Sequence, residues 1–349
     1  MELRNFDFSK KIFFHPERVF ELQKTGRSFP VTVEIDLTNA CNHRCSFCFY
    51  AEHIAVDRST LETNRLIGVL CELKECGAKG VSFTGGGEPT LHKDFKIIVR
   101  HAYDIGLDVG LITNGSALTS SNIDSVLETH TWVRISMAGG EPIGYRAVQG
   151  VDHFDRVIRN IDTLMHRRRE AMSSLSVGIR MLVTQNNLDG VVNLARISRE
   201  LGIDYLQLAP DQFTKDEGRF WKADETQAVF RETEIILSKS HTRLLTSAYV
   251  WHQSNLNYPS KCYAHHFQIA ILAEGHVAFC KNARGAENFY LGNIYKNSIA
   301  EIWDSKINRD LEGRIKPSNC GLYCKHTQIN NSLEDILNPP PEMTRNFVG

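Results

Sequence analysis

No apolar run in the 349-residue chain approaches the length needed to span a bilayer. The opening MELRNFDFSKK also lacks the apolar stretch of a secretory signal. Charge of one sign is missing too. Forty basic against 41 acidic side chains leave a formal charge of −1. That provides no electrostatic footprint for nucleic acid or an anionic membrane. No internal repeat or low-complexity tract stands out, which sets aside solenoids and arrays. The expectation is a cytoplasmic protein with one large domain or two modest ones. In that reducing compartment, nine cysteines, an odd count, do not read as a disulfide framework. Metal, cluster or redox chemistry is the better expectation for those that cluster.

Six β-rich runs alternate with helical patterns. They are VTVEIDLT (31–38), GVSFTG (80–85), DVGLITN (108–114), WVRISM (132–137), SVGIRMLVT (176–184) and YLQLAP (205–210). Helices are expected over 60–76 with Ser59 as cap, over 94–103, from about 120, over 153–172, over 188–201 and over 225–238. Six β-then-α units imply a parallel sheet with right-handed crossovers. The runs read as nearly continuous apolar strands, covered on both faces. Polar exceptions gather at the strands' C-terminal ends: Asn39, Glu88, Asn114, Ser136 and Asp211. In a barrel or half-barrel that rim carries the chemistry. After Pro259 the texture changes to short β-like runs, a short helix and further cysteines. The tail NPPPEMTRNFVG reads as extended. Trp251, His252 and Phe220 are candidate pocket residues.

The segment CNHRCSFC sets Cys41, Cys45 and Cys48 in C-x3-C-x2-C spacing. Zinc is the simple reading, but structural zinc sites close with a fourth ligand, and His43 lies inside the turn. Three thiolates suit a [4Fe–4S] cluster with one iron open. TGGGEPTLH (84–92) follows the second run, and its glycines allow backbone to approach a ligand. ITNG (112–115) ends the third run and RISMAGG (134–140) spans the fourth. Arg180 stands in the middle of an apolar strand, where it needs a partner or an anion. Late in the chain, Cys262, Gly275 and Cys280 form C-x12-G-x4-C, and Cys320 and Cys324 follow. These four thiols are enough to close one metal centre. That leaves His265, His266 and His326 as reserve ligands, with a zinc ribbon as the alternative. Cys71 and Cys76, five apart on one helix, read as core cysteines.

These motifs resemble the radical S-adenosylmethionine superfamily. Phe47, just before the third cysteine, matches as well, and LGNIYKNSIAEIWDS (291–305) is similar to the signature of SPASM and twitch domains. The resemblance implies an α/β fold: a partial (β/α)6 TIM-like barrel over 31–240 after a lead-in of 1–30. A small SPASM- or twitch-like auxiliary-cluster domain would occupy 241–330, and an extended tail 331–349. It implies that Cys41, Cys45 and Cys48 hold a [4Fe–4S] cluster whose open iron takes S-adenosylmethionine. Gly85, Gly86, Gly87, Glu88, Asn114 and Ser136 would contact that cofactor. Ser136 matches the family's S-x-D segment, but Ala138 stands in place of its aspartate. Cys262, Cys280, Cys320 and Cys324 would hold a second [4Fe–4S] cluster. Reductive cleavage of S-adenosylmethionine would yield a 5′-deoxyadenosyl radical that takes a hydrogen atom from substrate.

The implied partners are a small-molecule or peptide substrate and an external electron donor such as flavodoxin or ferredoxin. The first expectation is dehydrogenation of a small polar molecule, a sugar or aminocyclitol, with the second cluster accepting an electron. Arg180 or a rim carboxylate, Asp211, would assist the proton. Peptide modification and epimerisation are the alternatives. The cluster motif begins at residue 41, so a peptide-recognition domain is not expected ahead of it, and a partner protein would have to supply one. No thiol stands free near the rim to return a hydrogen atom in an epimerisation. A non-catalytic iron–sulfur or zinc protein is the remote reading.

Overall fold

The computed structural model describes residues 8–48, 50–210, 223–246, 258–320, 324 and 326–339. Asp211, Phe220, Trp251 and His252 lie outside them. Strands β1 (Thr32–Asp36), β2 (Gly80–Thr84), β3 (Asp108–Thr113), β4 (Trp132–Ser136), β5 (Ser176–Val183), β6 (Tyr205–Pro210) and β7 (Arg243–Thr246) pair in chain order, all parallel. β8 (Gln268–Ile271) joins the same sheet in parallel on the other side of β1. β9 (His276–Ala278) and β10 (Tyr290–Asn293) extend it antiparallel. The cysteine-rich C-terminal segment therefore continues the barrel sheet. Among the described residues, β7 and β10 end the sheet unpaired with each other, so the barrel stays open.

Helices connect the strands: α1 (Pro16–Thr25) precedes β1, and α2 (Ala51–Val56) and α3 (Thr63–Glu75) follow it. Then come α4 (Phe95–Asp104), α5 (Ser120–Thr129), α6 (Pro142–Gln149), α7 (Phe154–Glu170), α8 (Gly190–Leu201) and a helix over Asp224–Ser238. In α4 the buried residues are Phe95, Ile98, Val99 and Ala102, a stripe at helical spacing. Burying each of the larger ones stabilises the fold by about 1.5–3 kcal/mol. Thr119 caps α5 by accepting from the Asn122 amide. The last turn of α7 carries Arg167, Arg168 and Arg169, which complement the partial negative charge there. Arg168 also grips Asp204 through two hydrogen bonds of 2.8 and 3.0 Å, fastening α7 to the start of β6.

Four expectations need correction. The strands are not apolar on both faces. Val33, Ile35, Val133, Ile135, Val177 and Ile179 pack into the core, while Glu34, Asp36, Arg134, Ser136 and Arg180 alternate with them. The interior of an open barrel holds a polar cavity, and period-2 alternation delivers polar side chains to it. The first long helix starts at Thr63, not residue 60, because Thr60 forms a β-bridge with Thr38, hydroxyl to hydroxyl at 2.7 Å. The stretch beyond residue 331 is not wholly extended, since a helix runs over Thr327–Leu337 and buries Asn330 and Leu333. Cys71 and Cys76 are half-buried rather than fully buried: Cys71 lies 3.4 Å from the His101 ring, and Cys76 caps the end of α3 and packs against the edge of the core.

Candidate active site and metal centres

Side chains far apart in sequence meet in one cavity of about 300 Å³. Its wall includes Cys41, Cys45, Cys48, Gly85, Gly86, Gly87, Glu88, Asn114, Ser136 and Arg180. Every described residue expected at the radical-generating site thus lies around one space. The three cysteines occupy the loop between β1 and α2, and their charges act on one another. Burial pushes the Cys45 thiol up to about 12, and the neighbouring sulfurs add to the rise. Such a set resists ionisation unless a metal centre compensates the thiolates. The His43 amide donates to Cys41 Sγ at 3.4 Å. The chemistry of this donor set fits an iron–sulfur cluster.

The glycine run packs against the chain that leads into the cysteines. Gly85 has φ +133°, and a Cβ there would meet the Asp36 carboxyl at 2.5 Å. At Gly87 a Cβ would lie 2.2 Å from the Ala40 carbonyl oxygen. Side chains are excluded at both positions by backbone or a buried acid. The Gly87 and Glu88 amides donate to the Thr38 and Ala40 carbonyls, at 3.0 and 2.9 Å.

Glu88 is buried and takes four donors. Its Oε1 accepts from the Thr90 amide (3.1 Å), the Thr90 hydroxyl (2.5 Å) and the Thr113 hydroxyl (2.7 Å), and Oε2 from the Asn114 amide (2.7 Å). Burial raises its pKa, against the pull of those donors. The carboxylate clamps the end of β2 to the end of β3 and still lines the cavity. Asn114 works similarly. Its Nδ2 donates to Asn42 Oδ1 at 2.8 Å, and its Oδ1 accepts from the Ser116 amide and hydroxyl. The cysteine loop is thereby tied to β3.

Helix α6 was not legible as a helix, although Pro142 at its start and Gly150 in the left-handed conformation just past its end mark both termini. Its last carbonyls, of Val148 and Gln149, accept from the Ser46 and Arg44 amides of the cysteine loop. The buried Gln149 side chain accepts from the Ala138 amide at 2.8 Å and lies 3.3 Å from His43 Nδ1. Ala138, where the family has an aspartate, is thus served by Gln149 from the next helix. His43 lies 3.2 Å from His153 on its other edge, and burial lowers its pKa to about 4.

The floor of the cavity carries charge that the motifs did not reveal. Arg284 donates twice to Asp36 at 2.8 Å and once to Glu34 at 3.1 Å. Lys281 Nζ stands 3.8 Å from Glu34. Arg134 and Arg180 complete the cationic wall. Of these groups the sequence singled out Arg180, alternation within β1 and β4 hinted at Glu34, Asp36 and Arg134, and nothing local marked Lys281 or Arg284.

At the far end of the sheet, Cys262, Cys280, Cys320 and Cys324 come together. Each of the other three acts electrostatically on Cys262. Burial pushes the Cys262 and Cys280 thiols up to about 12. The Asn282 amide donates to Cys280 Sγ at 3.4 Å. Asn330 was also missed. Its Oδ1 accepts from the Tyr263 and Ala264 amides at 2.8 Å each, and its Nδ2 reaches Cys262 Sγ at 3.8 Å. Four converging thiols suit one closed cluster. The reserve ligands are otherwise engaged. His265 Nδ1 bonds the Cys262 carbonyl and its Nε2 lies 3.1 Å from Glu312, His266 bonds Ser28, and His326 lines a second cavity that shares Glu34, Ile112 and Arg134 with the first. Lys281 and Asn282, directly after Cys280, line the first cavity, so a single chain segment serves both centres.

No helix among the described residues is long and apolar enough to cross a membrane. A family model described as the radical SAM superfamily matches residues 35–197, and an iron–sulfur cluster-binding domain, SPASM, matches 262–326. A probable GTP 3′,8-cyclase of Saccharolobus islandicus is 29% identical over 177 residues, 50% of this chain and 55% of the relative. The PqqA peptide cyclase of Bradyrhizobium diazoefficiens is 29% identical over 196 residues, 55% of this chain and 50% of the relative. The chain thus spans about half the length of these relatives. Among solved structures, Streptococcus suis SuiB bound to S-adenosylmethionine aligns with a TM-score of 0.67 at 17% identity, covering 87% of this chain and 72% of that one. Native anSMEcpe with bound AdoMet aligns with a TM-score of 0.63 at 18% identity, covering 86% and 88%. These two likenesses establish the fold, and the matched family models give the chain a radical S-adenosylmethionine domain over residues 35–197 and an SPASM iron–sulfur cluster-binding domain over residues 262–326.

Proposed function

We propose that this chain oxidises a small polar molecule, such as a sugar or aminocyclitol, by removing hydrogen from a carbinol carbon. The observation that carries this reading is the segment 280–282. Lys281 and Asn282 form part of the cavity wall, while Cys280, to whose Sγ the Asn282 amide donates, is one of the four converging thiols. When bound, S-adenosylmethionine and the two clusters supply the hydrogen-abstracting radical and an acceptor for the second electron. Cys41, Cys45 and Cys48 would hold the first [4Fe–4S] cluster, and Cys262, Cys280, Cys320 and Cys324 the second. Gly85, Gly86, Gly87, Glu88, Asn114 and Ser136 would seat S-adenosylmethionine, with Glu88 and Asn114 also fixing the loop and strand ends they bridge. Arg180 orients the substrate from the wall of the cavity, and Asp211, just past β6, takes the carbinol proton. A cytoplasmic flavodoxin or ferredoxin would deliver the priming electron.

Peptide modification is the second reading. SuiB has been solved bound to its precursor peptide SuiA, anSMEcpe with the Cp18Cys peptide, and one relative is named a peptide cyclase.

Anaerobically reconstituted protein is expected to hold about eight irons per chain. A count near four would remove the auxiliary cluster from this reading, and zinc alone would remove both clusters. With deuterated candidate substrates, label should pass into 5′-deoxyadenosine with one S-adenosylmethionine consumed per oxidised product. Incorporation of solvent hydrogen at the carbon, without oxidation, would indicate epimerisation instead.

A further inference from the structure

Arg134 projects from β4 into the cavity from a position two residues before Ser136. Of the nearby carboxylates, Asp36 is taken by Arg284, and Glu34 is shared by Arg284 and Lys281 and acts on Arg134 only at longer range. Glu34 is further occupied by Gln268, which donates to its Oε1 at 2.8 Å. Glu88, at the rim, is held by Thr90, Thr113 and Asn114. Among the described residues Arg134 has no ion pair. It makes one long hydrogen bond, Nη1 to Gln207 Oε1 at 3.4 Å, and its buried Nε has no partner. Its guanidinium also lies 6.0 Å from the Trp132 ring, and Lys11 feels its charge from below. A guanidinium removed from water with such thin support is costly. The planar fork of arginine is suited to two-pronged contact with a carboxylate or phosphate.

We propose that Arg134 is the specificity residue of a substrate-anion subsite at the floor of the cavity, taking a carboxylate or phosphate group of the substrate. Arg180, on the adjacent strand and the same cavity wall, and Lys281 from the Cys280 segment add positive charge around it. The subsite rests on the reading that this cavity holds the substrate. It narrows the substrate to an anionic polar molecule and places its charged end against β4, across from the cysteine loop.

The test uses the reconstituted full chain loaded with S-adenosylmethionine, with inorganic phosphate, acetate and neutral acetamide as probes in calorimetric titrations. Wild type is expected to bind phosphate or acetate saturably and to ignore acetamide, and the tighter of the two anions names the group. Arg134→Gln should weaken anion binding roughly tenfold or more, and Arg134→Lys less, with affinity for S-adenosylmethionine unchanged. In case Arg134→Gln does not fold, phenylglyoxal mapping is done on wild type, where the tighter-binding of the two anions should protect Arg134 from modification. Anion binding absent in wild type, equal in Arg134→Gln, or without protection of Arg134 overturns the subsite. A parallel loss of S-adenosylmethionine affinity assigns Arg134 to the cofactor and equally overturns it. None of these readouts requires turnover, so the subsite and the oxidation reading fail separately.

Discussion

Replacing Glu88 by glutamine tests whether this buried carboxylate holds the rim of the site together. The change keeps the shape and removes the charge. Three donors converge on Oε1 and one, the Asn114 amide, on Oε2. A glutamine oxygen at the first position would keep Thr90 and Thr113, but its NH2 would then face the Asn114 N–H. The hydroxyls can rotate, whereas a backbone amide cannot. One charge-assisted bond is lost, about 1.5–3 kcal/mol, and a buried donor is left unpaired, about 1–3 kcal/mol. These overlap, so we expect a loss of about 2–4 kcal/mol. Urea unfolding of the reconstituted protein, followed by tryptophan fluorescence, reads it as a lower midpoint. Because Thr113 and Asn114 end β3 and Asn114 is tied to Asn42, affinity for S-adenosylmethionine should fall with stability. An unchanged midpoint would refute the clamp. If S-adenosylmethionine affinity were then lost alone, Glu88 would serve the cofactor without bracing the strands.

Gln149→Leu leaves the Ala138 amide without its acceptor and releases His43. It should cost about 1–3 kcal/mol and loosen the three-cysteine cluster, seen as faster bleaching of its visible absorption by a chelator, with the four-cysteine cluster unaffected. Cys45→Ala should abolish reductive cleavage of S-adenosylmethionine, measured as 5′-deoxyadenosine, while roughly half the iron stays bound. His130 is buried just before β4 and is not part of the cavity wall, and burial lowers its pKa from 6.5 to about 3. With a depressed folded-state pKa, the unfolded chain takes up the proton first. Stability is therefore lost as pH falls from about 6.5 towards 3, by about 2–3 kcal/mol at pH 4.5. His130→Phe should flatten that part of a urea-midpoint-against-pH curve, and an unaltered curve would exclude the histidine as its cause.

The sequence by itself determined the chemistry that depends on local spacing. Cys41, Cys45 and Cys48 sit on one loop, so the number of residues between them fixes what they can hold. Gly85–Glu88 and Asn114 were legible because strand ends are short and their turn residues have few alternatives. The alternating runs gave a parallel sheet, and the tertiary structure added β7 and joined β8 to it. What the sequence could not decide was which distant residues share a wall. Arg284 reaches Glu34 across 250 residues, and Asn330 reaches Cys262 across 68. Gln149 serves Ala138 only because α6 folds back against the cysteine loop. A mid-strand arginine such as Arg134 or Arg180 looks anomalous in one dimension. Only the curvature of the open sheet shows that its face encloses a polar cavity. That enclosure makes the charges on β1, β4 and β5 neighbours, and it sets one cysteine centre at the cavity's rim and the other behind its wall.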